Sequence, residues 1–94
     1  MPSFKVAHIN EQGKDLIIFP LAPDFGNLTG EDQDRELAFL GSRANSAGLR
    51  GVAVAVWDLG MGRVAFRGPV SFYPFLSGIN MKFVMAHVNR EISW

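Results

Sequence analysis

Hydrophobic residues are most regularly spaced in the middle of the chain, where residues 52–57 form the apolar run VAVAVW. The glycines and aspartate of residues 58–62 (DLGMG) suit a turn, and residues 63–67 (RVAFR) then place Val64 and Phe66 on one side of a strand and both arginines on the other. We therefore predict a β-hairpin here. Its first strand lacks polar alternation, which indicates burial on both faces.

A second hairpin is predicted near the amino terminus. Residues 4–10 alternate as a strand, residues 11–14 form a polar break, and residues 15–21 return as DLIIFPL. Gly13 can take the positive φ that a tight reversal needs. Pro20 has no amide hydrogen, so we expect it at the strand's end or on an unpaired edge.

A helix is predicted over residues 30–47. The Thr29 hydroxyl can accept the backbone amide of Asp32, and the acidic first turn suits the positive end of the helix dipole. Gly48 is placed to take the left-handed conformation just past the helix end. The apolar and small residues that share one stripe are Leu37, Leu40, Gly41, Ala44 and Ala47.

The segment 75–91 fits two patterns. Phe75, Ile79 and Phe83 recur at helical spacing, whereas residues 79, 81, 83 and 85 also alternate as a strand. Its length and its content of helix-forming residues favour a helix, while Gly78 weakens that prediction. Residues 83–89 (FVMAHVN) echo residues 4–10 (FKVAHIN), and we attribute this echo to chance; otherwise the C-terminal segment is a strand.

The order ββαββα predicts an α+β fold in a single domain over residues 1–94. We expect a two-layer sandwich in which a four-stranded antiparallel sheet carries both helices on one face. Ala53 and Ala55 let a helix approach closely, so we place the helices on their side of the central strand. The opposite face, with Val52, Val54 and Val56, would then be exposed. Because large apolar patches are rarely left to water, this predicts a homodimer.

Composition narrows the function classes further. Nine basic residues balance nine acidic ones, which disfavours binding to nucleic acid. The absence of cysteine excludes disulfides and thiolate metal sites and is compatible with a reducing compartment. No apolar run has the length of a membrane span and the amino terminus is not a secretory signal, so we expect a cytoplasmic protein without a membrane partner.

Residues whose side chains suit ligand binding cluster around the central turn. Trp57, Asp58 and Arg63, with Arg67 and Tyr73, could orient a small ligand at one end of the sheet. A structural interpretation competes with this one and is favoured: Asp58 bonds backbone amides of the turn and Trp57 packs. The arginines, interleaved with aromatic residues, could also stack on unpaired RNA bases, but protection of an edge strand is the preferred interpretation.

No catalytic residue, metal site or cofactor is predicted. His8 and His87 are far apart in sequence and belong to no ligand-spaced pair. Gly60 and Gly62 precede a strand rather than a helix, so they cannot form a dinucleotide site. Trp94 is expected to pack onto the domain or a partner, so deleting the last four residues should lower thermal stability.

The sequence favours a non-catalytic interaction module that self-associates through an apolar sheet face or edge. An unidentified protein is the other partner that it allows. The alternative is a small-molecule-binding protein or enzyme with its site near Trp57, Asp58, Arg63 and Tyr73.

Overall fold

A computed structural model describes residues 3–11, 13–61 and 63–93 of the chain. Five strands form one sheet: β1 (Ser3–Glu11), β2 (Lys14–Leu21), β3 (Val52–Gly60), β4 (Arg63–Arg67) and β5 (Arg90–Ser93). The helices are α1 (Gly30–Ser46), α2 (Tyr73–Leu76) and α3 (Met81–Ala86), and short 3₁₀ segments lie at Pro23–Asn27 and Val70–Phe72. The α+β class is confirmed.

The sheet is mixed and has the strand order β4-β3-β2-β1-β5. Both predicted hairpins form, β1 with β2 and β3 with β4. However, β2 and β3 run parallel, because α1 carries the chain back to the end of the sheet from which β2 starts. The prediction of a four-stranded, wholly antiparallel sheet is therefore wrong.

Helix α1 forms as its end signals predict. The Thr29 Oγ1 atom accepts the Asp32 amide at 3.1 Å, and Gly48 has a φ of 95° just past the last turn. Leu40 and Ala44 point into the core against Ile17 of β2. Local capping and periodicity thus suffice to define this helix.

The C-terminal segment does not form the predicted helix over residues 75–91. Asn80 interrupts it by capping α3, with its Oδ1 atom accepting the Phe83 amide at 2.8 Å. Asn89 then exchanges two hydrogen bonds of 2.9 Å with the backbone of His8, one from the His8 amide and one to its carbonyl. The chain then forms β5 from Arg90 onward, beyond the alternating residues 79–85. The strand alternative is therefore also wrong for those residues, since 81–86 form α3.

Helices cover both faces of the sheet, so the two-layer arrangement with an exposed valine face is also wrong. Val54 and Val56 are fully buried beneath Phe72, Leu76 and Val84 of the C-terminal segment. Because that segment is broken into short pieces, it can cross beneath the sheet and cover the face that α1 leaves open. Trp94, for which packing was predicted, lies outside the described residues.

Candidate functional site

Trp57 belongs to the hydrophobic core. Its ring packs edge-to-face on Phe25 at a centroid distance of 4.9 Å, in a cluster with Leu37 and Ala55. A Cβ atom on Gly26 would lie 2.6 Å from the indole Nε1 atom, so the 3₁₀ segment closes tightly over the ring. Trp57 is 8% exposed and offers little surface to a ligand.

Asp58 organises the turn between β3 and β4. Its Oδ1 atom accepts the Gly60 amide at 2.7 Å. The register shifts here, because Asp58 pairs with Val64 and Gly60 pairs with Arg63, which leaves Leu59 as an extra residue. This geometry matches the structural interpretation of the turn.

Arg67 is held by a bidentate ion pair to α1. Its Nε atom lies 2.6 Å from Asp34 Oδ1, and its Nη2 atom donates to Oδ2 at 3.1 Å. The hydrogen bond lowers the pKa of Asp34 and raises that of Arg67. This contact fixes β4 to α1 and engages the Arg67 guanidinium within the fold.

Of the other two predicted ligand residues, Arg63 pairs with Gly60 beside the Asp58 turn, whereas Tyr73 lies elsewhere. Arg63 is exposed, and within the described ranges it makes no ion pair. Tyr73 packs its ring edge on Phe66, at 5.1 Å, on the side of the sheet opposite to Trp57. The structure therefore does not gather the five residues into one cavity, and their role in ligand binding stays a prediction.

The two histidines make separate structural contacts. His8 Nε2 lies 2.7 Å from the Arg50 carbonyl oxygen, and the His87 ring stacks on Phe83 at 4.1 Å. In the described part of the chain, no group of three His, Cys, Asp or Glu side chains could hold a metal ion.

One surface groove was not predicted from the sequence. It is an open groove of about 770 Å³ beside α1, which we call the α1 groove. One wall is the flank of α1 between Asp34 and Ser46, the floor is Ala53 at the start of β3, and the other wall is Gly68 and Pro69. Most of its lining side chains are small, so the backbone of an occupant can approach closely.

The groove exists because neither α1 nor β4 covers this corner of the sheet. Pairing of β4 with β3 ends where Arg67 faces Ala55, whereas β3 begins three residues earlier, at Val52. A five-stranded sheet is about 19 Å wide, from strand spacings of about 4.8 Å, while a helix is about 10 Å across. Helix α1 packs toward β2 on the Ala53 side of the sheet and leaves Ala53 only partly buried.

The lining chemistry limits what the groove can hold. Among the described residues that line the groove, Asp34 alone is charged, and it is paired with Arg67. The other lining residues are apolar, small or uncharged polar, as in Leu37, Ser42 and Val52. Such a lining offers no free cation to a phosphate group. It suits an uncharged, mainly apolar segment.

One signal in the sequence could have indicated the groove. Ala38, Gly41, Ser42 and Asn45 recur at helical spacing on the flank of α1 next to its core stripe. A Cβ atom on Gly41 would lie 3.0 Å from that of Ala53, which shows how closely the helix approaches the sheet. The pattern indicates a helix flank without large side chains. It does not indicate that no other element covers this flank.

No protein-family model, curated protein or solved structure matches this chain. Among the helices that the structure describes, none is long and apolar enough to cross a membrane.

Proposed function

We propose that this protein is a non-catalytic binding module that holds an apolar polypeptide segment in the α1 groove. The observation that supports this most directly is the groove itself: a solvent-open cleft of about 770 Å³, bordered by partly exposed Val52 and almost free of charge. Its volume falls within the range of about 300–1,000 Å³ typical of ligand sites.

The shape of the groove favours a polypeptide over a compact metabolite. The stretch of α1 from Asp34 to Ser46 rises about 18 Å, at about 1.5 Å per residue. About five residues of extended chain, at about 3.3 Å each, span the same distance. The hydroxyl groups of Ser42 and Ser46 line this wall and can hydrogen-bond to a peptide backbone, whereas the Asn45 Nδ2 atom already donates to the Leu49 carbonyl.

The groove replaces the valine face as the surface for association. Val54 and Val56 have no exposed area with which to bind a second molecule. The small-molecule alternative near the central turn loses support because Trp57 is packed and Arg67 is engaged by Asp34. Exposed apolar surface remains at the groove, where Val52 lies.

A groove-filling substitution tests the proposal. Peptides from a displayed random library are selected on the wild-type protein, and their affinities are measured by fluorescence anisotropy for wild type, Ala38→Trp and Glu36→Trp. Ala38 lines the groove, whereas Glu36 is exposed on another flank of the same helix. We expect Ala38→Trp to weaken binding at least about tenfold, or about 1.4 kcal/mol, and Glu36→Trp to leave it unchanged.

The proposal fails if no peptide is enriched, or if the enriched peptides bind Ala38→Trp as tightly as wild type. Far-UV circular dichroism and thermal melting establish that both tryptophan variants are folded.

A further inference from the structure

We infer that the occupant of the α1 groove is the tip of the β3–β4 hairpin from a second copy of this chain, so that two copies exchange tips reciprocally. The inference rests on the proposed function and names the partner. It combines an exposed apolar projection with an apolar groove that the same chain leaves open.

The hairpin tip (residues 59–61) presents apolar side chains to solvent. Met61 is fully exposed and Leu59 is 55% exposed. The bulge next to Asp58 leaves Leu59 without a partner of its own on β4. Methionine is flexible and polarisable and adapts to irregular apolar surfaces, which is why it is frequent at binding surfaces.

The backbone at Met61 also needs an explanation. Its φ of 56° is the only positive value at a non-glycine residue in the described ranges of the chain. Asparagine or glycine is preferred at such a position, because longer side chains raise the energy of the left-handed conformation. Binding to a partner would explain why a fully exposed methionine occupies a position whose backbone conformation is unfavourable for it.

One further charge contact is available between the two surfaces. Arg63 flanks the tip and is exposed, and the part of the chain that the structure describes provides it with no ion pair. The groove carries Asp34 at one end, with 65% of its side chain exposed although it binds Arg67. A tip seated in the groove can add Arg63 of the second copy to this carboxylate.

The positions of tip and groove favour a closed dimer. They lie at opposite ends of β3, since Val52 borders the groove and Gly60 belongs to the tip; eight residue steps separate these two residues by about 26 Å. Two copies placed antiparallel about a two-fold axis bring each tip to the other copy's groove. Both contacts are then satisfied, and association stops at two.

Sedimentation equilibrium over about 5–200 μM protein tests the inference, because the mass of a reversible dimer depends on concentration. We expect wild type to approach twice the monomer mass of 10.4 kDa. Met61→Asn keeps the turn but removes the projection, and should weaken dimerisation at least about tenfold. Met85→Asn is the matched control, since Met85 is an exposed methionine distant in sequence from the tip, and should leave the dimer unchanged.

A mixture of two variants gives the sharpest result. Met61→Asn retains an open groove, and Ala38→Trp retains the tip, so each alone should be monomeric while the mixture should form a heterodimer through one tip–groove contact. The inference is overturned if wild type stays monomeric, if the two asparagine variants behave alike, or if the mixture sediments as monomers. Peptide binding to monomeric Met61→Asn is measured in parallel; if it persists, the proposed function survives, and if it is absent, that proposal fails as well.

Discussion

Met61 carries an energetic cost within a single molecule. Its φ of 56° is a conformation that asparagine adopts more readily than methionine. We expect Met61→Asn to raise the free energy of unfolding by about 0.5–1 kcal/mol. Urea denaturation at about 1 μM, where the proposed dimer is dissociated, measures this change. An unchanged or lower stability would show that the turn tolerates methionine without strain.

The ion pair between Asp34 and Arg67 predicts a pH dependence of stability. Because the pKa of Asp34 is lowered in the folded state, its contribution is complete above the unfolded value of about 3.9 and is lost as pH falls through the folded value. Asp34→Asn should therefore melt at a lower temperature than wild type at pH 7, and the difference should shrink as pH falls below about 3.9. A difference that stays constant across this range contradicts the assignment. Arg35→Gln, which breaks only exposed ion pairs on α1, serves as the control.

At the scale of an element, the entry to β3 depends on a glycine. Gly51 has a φ of 126°, and a Cβ atom there would collide with the backbone carbonyl oxygen of Asp15 on β2. Gly48 also has a positive φ, but a Cβ atom there meets nothing within 4 Å. Chemical denaturation should show a loss of about 1 kcal/mol for Gly48→Ala and at least about 2 kcal/mol more for Gly51→Ala. Equal losses would mean that β2 and β3 can separate to accept the methyl group.

The docking of β5 depends on the Asn89 side chain. It makes two hydrogen bonds of 2.9 Å to the backbone of His8 on β1. At about 0.5–1.5 kcal/mol each, their loss in Asn89→Ala should cost about 1–3 kcal/mol and speed hydrogen exchange at the β5 amides. Asn27→Ala, in the 3₁₀ segment before α1, is the matched control and should have little effect. Unaltered exchange in β5 would show that strand pairing alone holds it.

The elements predicted correctly are those whose signals are local. Cap, apolar stripe and terminal glycine define α1 within a short stretch, and each hairpin combines alternating residues with its own turn. The prediction for the C-terminal segment was wrong for two reasons. Asn80 caps α3 and separates it from α2, and Asn89 pairs with His8, 81 residues earlier. Helix-forming composition over residues 75–91 lost to this tertiary pairing, as weak propensities commonly do.

For the molecule as a whole, apolar patterning predicted a sheet buried on both faces but not what covers each face. The C-terminal segment covers the second face, so Val54 and Val56 are not available for the dimer contact that was predicted there. The α1 groove could not be predicted either, because it depends on where β4 ends relative to β3 and on how α1 lies across the sheet. Both are properties of three-dimensional packing rather than of residue spacing.

A single titration tests most directly whether the α1 groove binds the hairpin tip of a second copy. Isotope-labelled Met61→Asn, with its groove open, is mixed with unlabelled Ala38→Trp, which retains the tip, and amide chemical shifts are followed by NMR. We predict saturating shifts at Val52, Ala53 and Gly68, which border the groove. No shifts, or shifts confined to the opposite face around Val84, would contradict the binding of the tip in the groove.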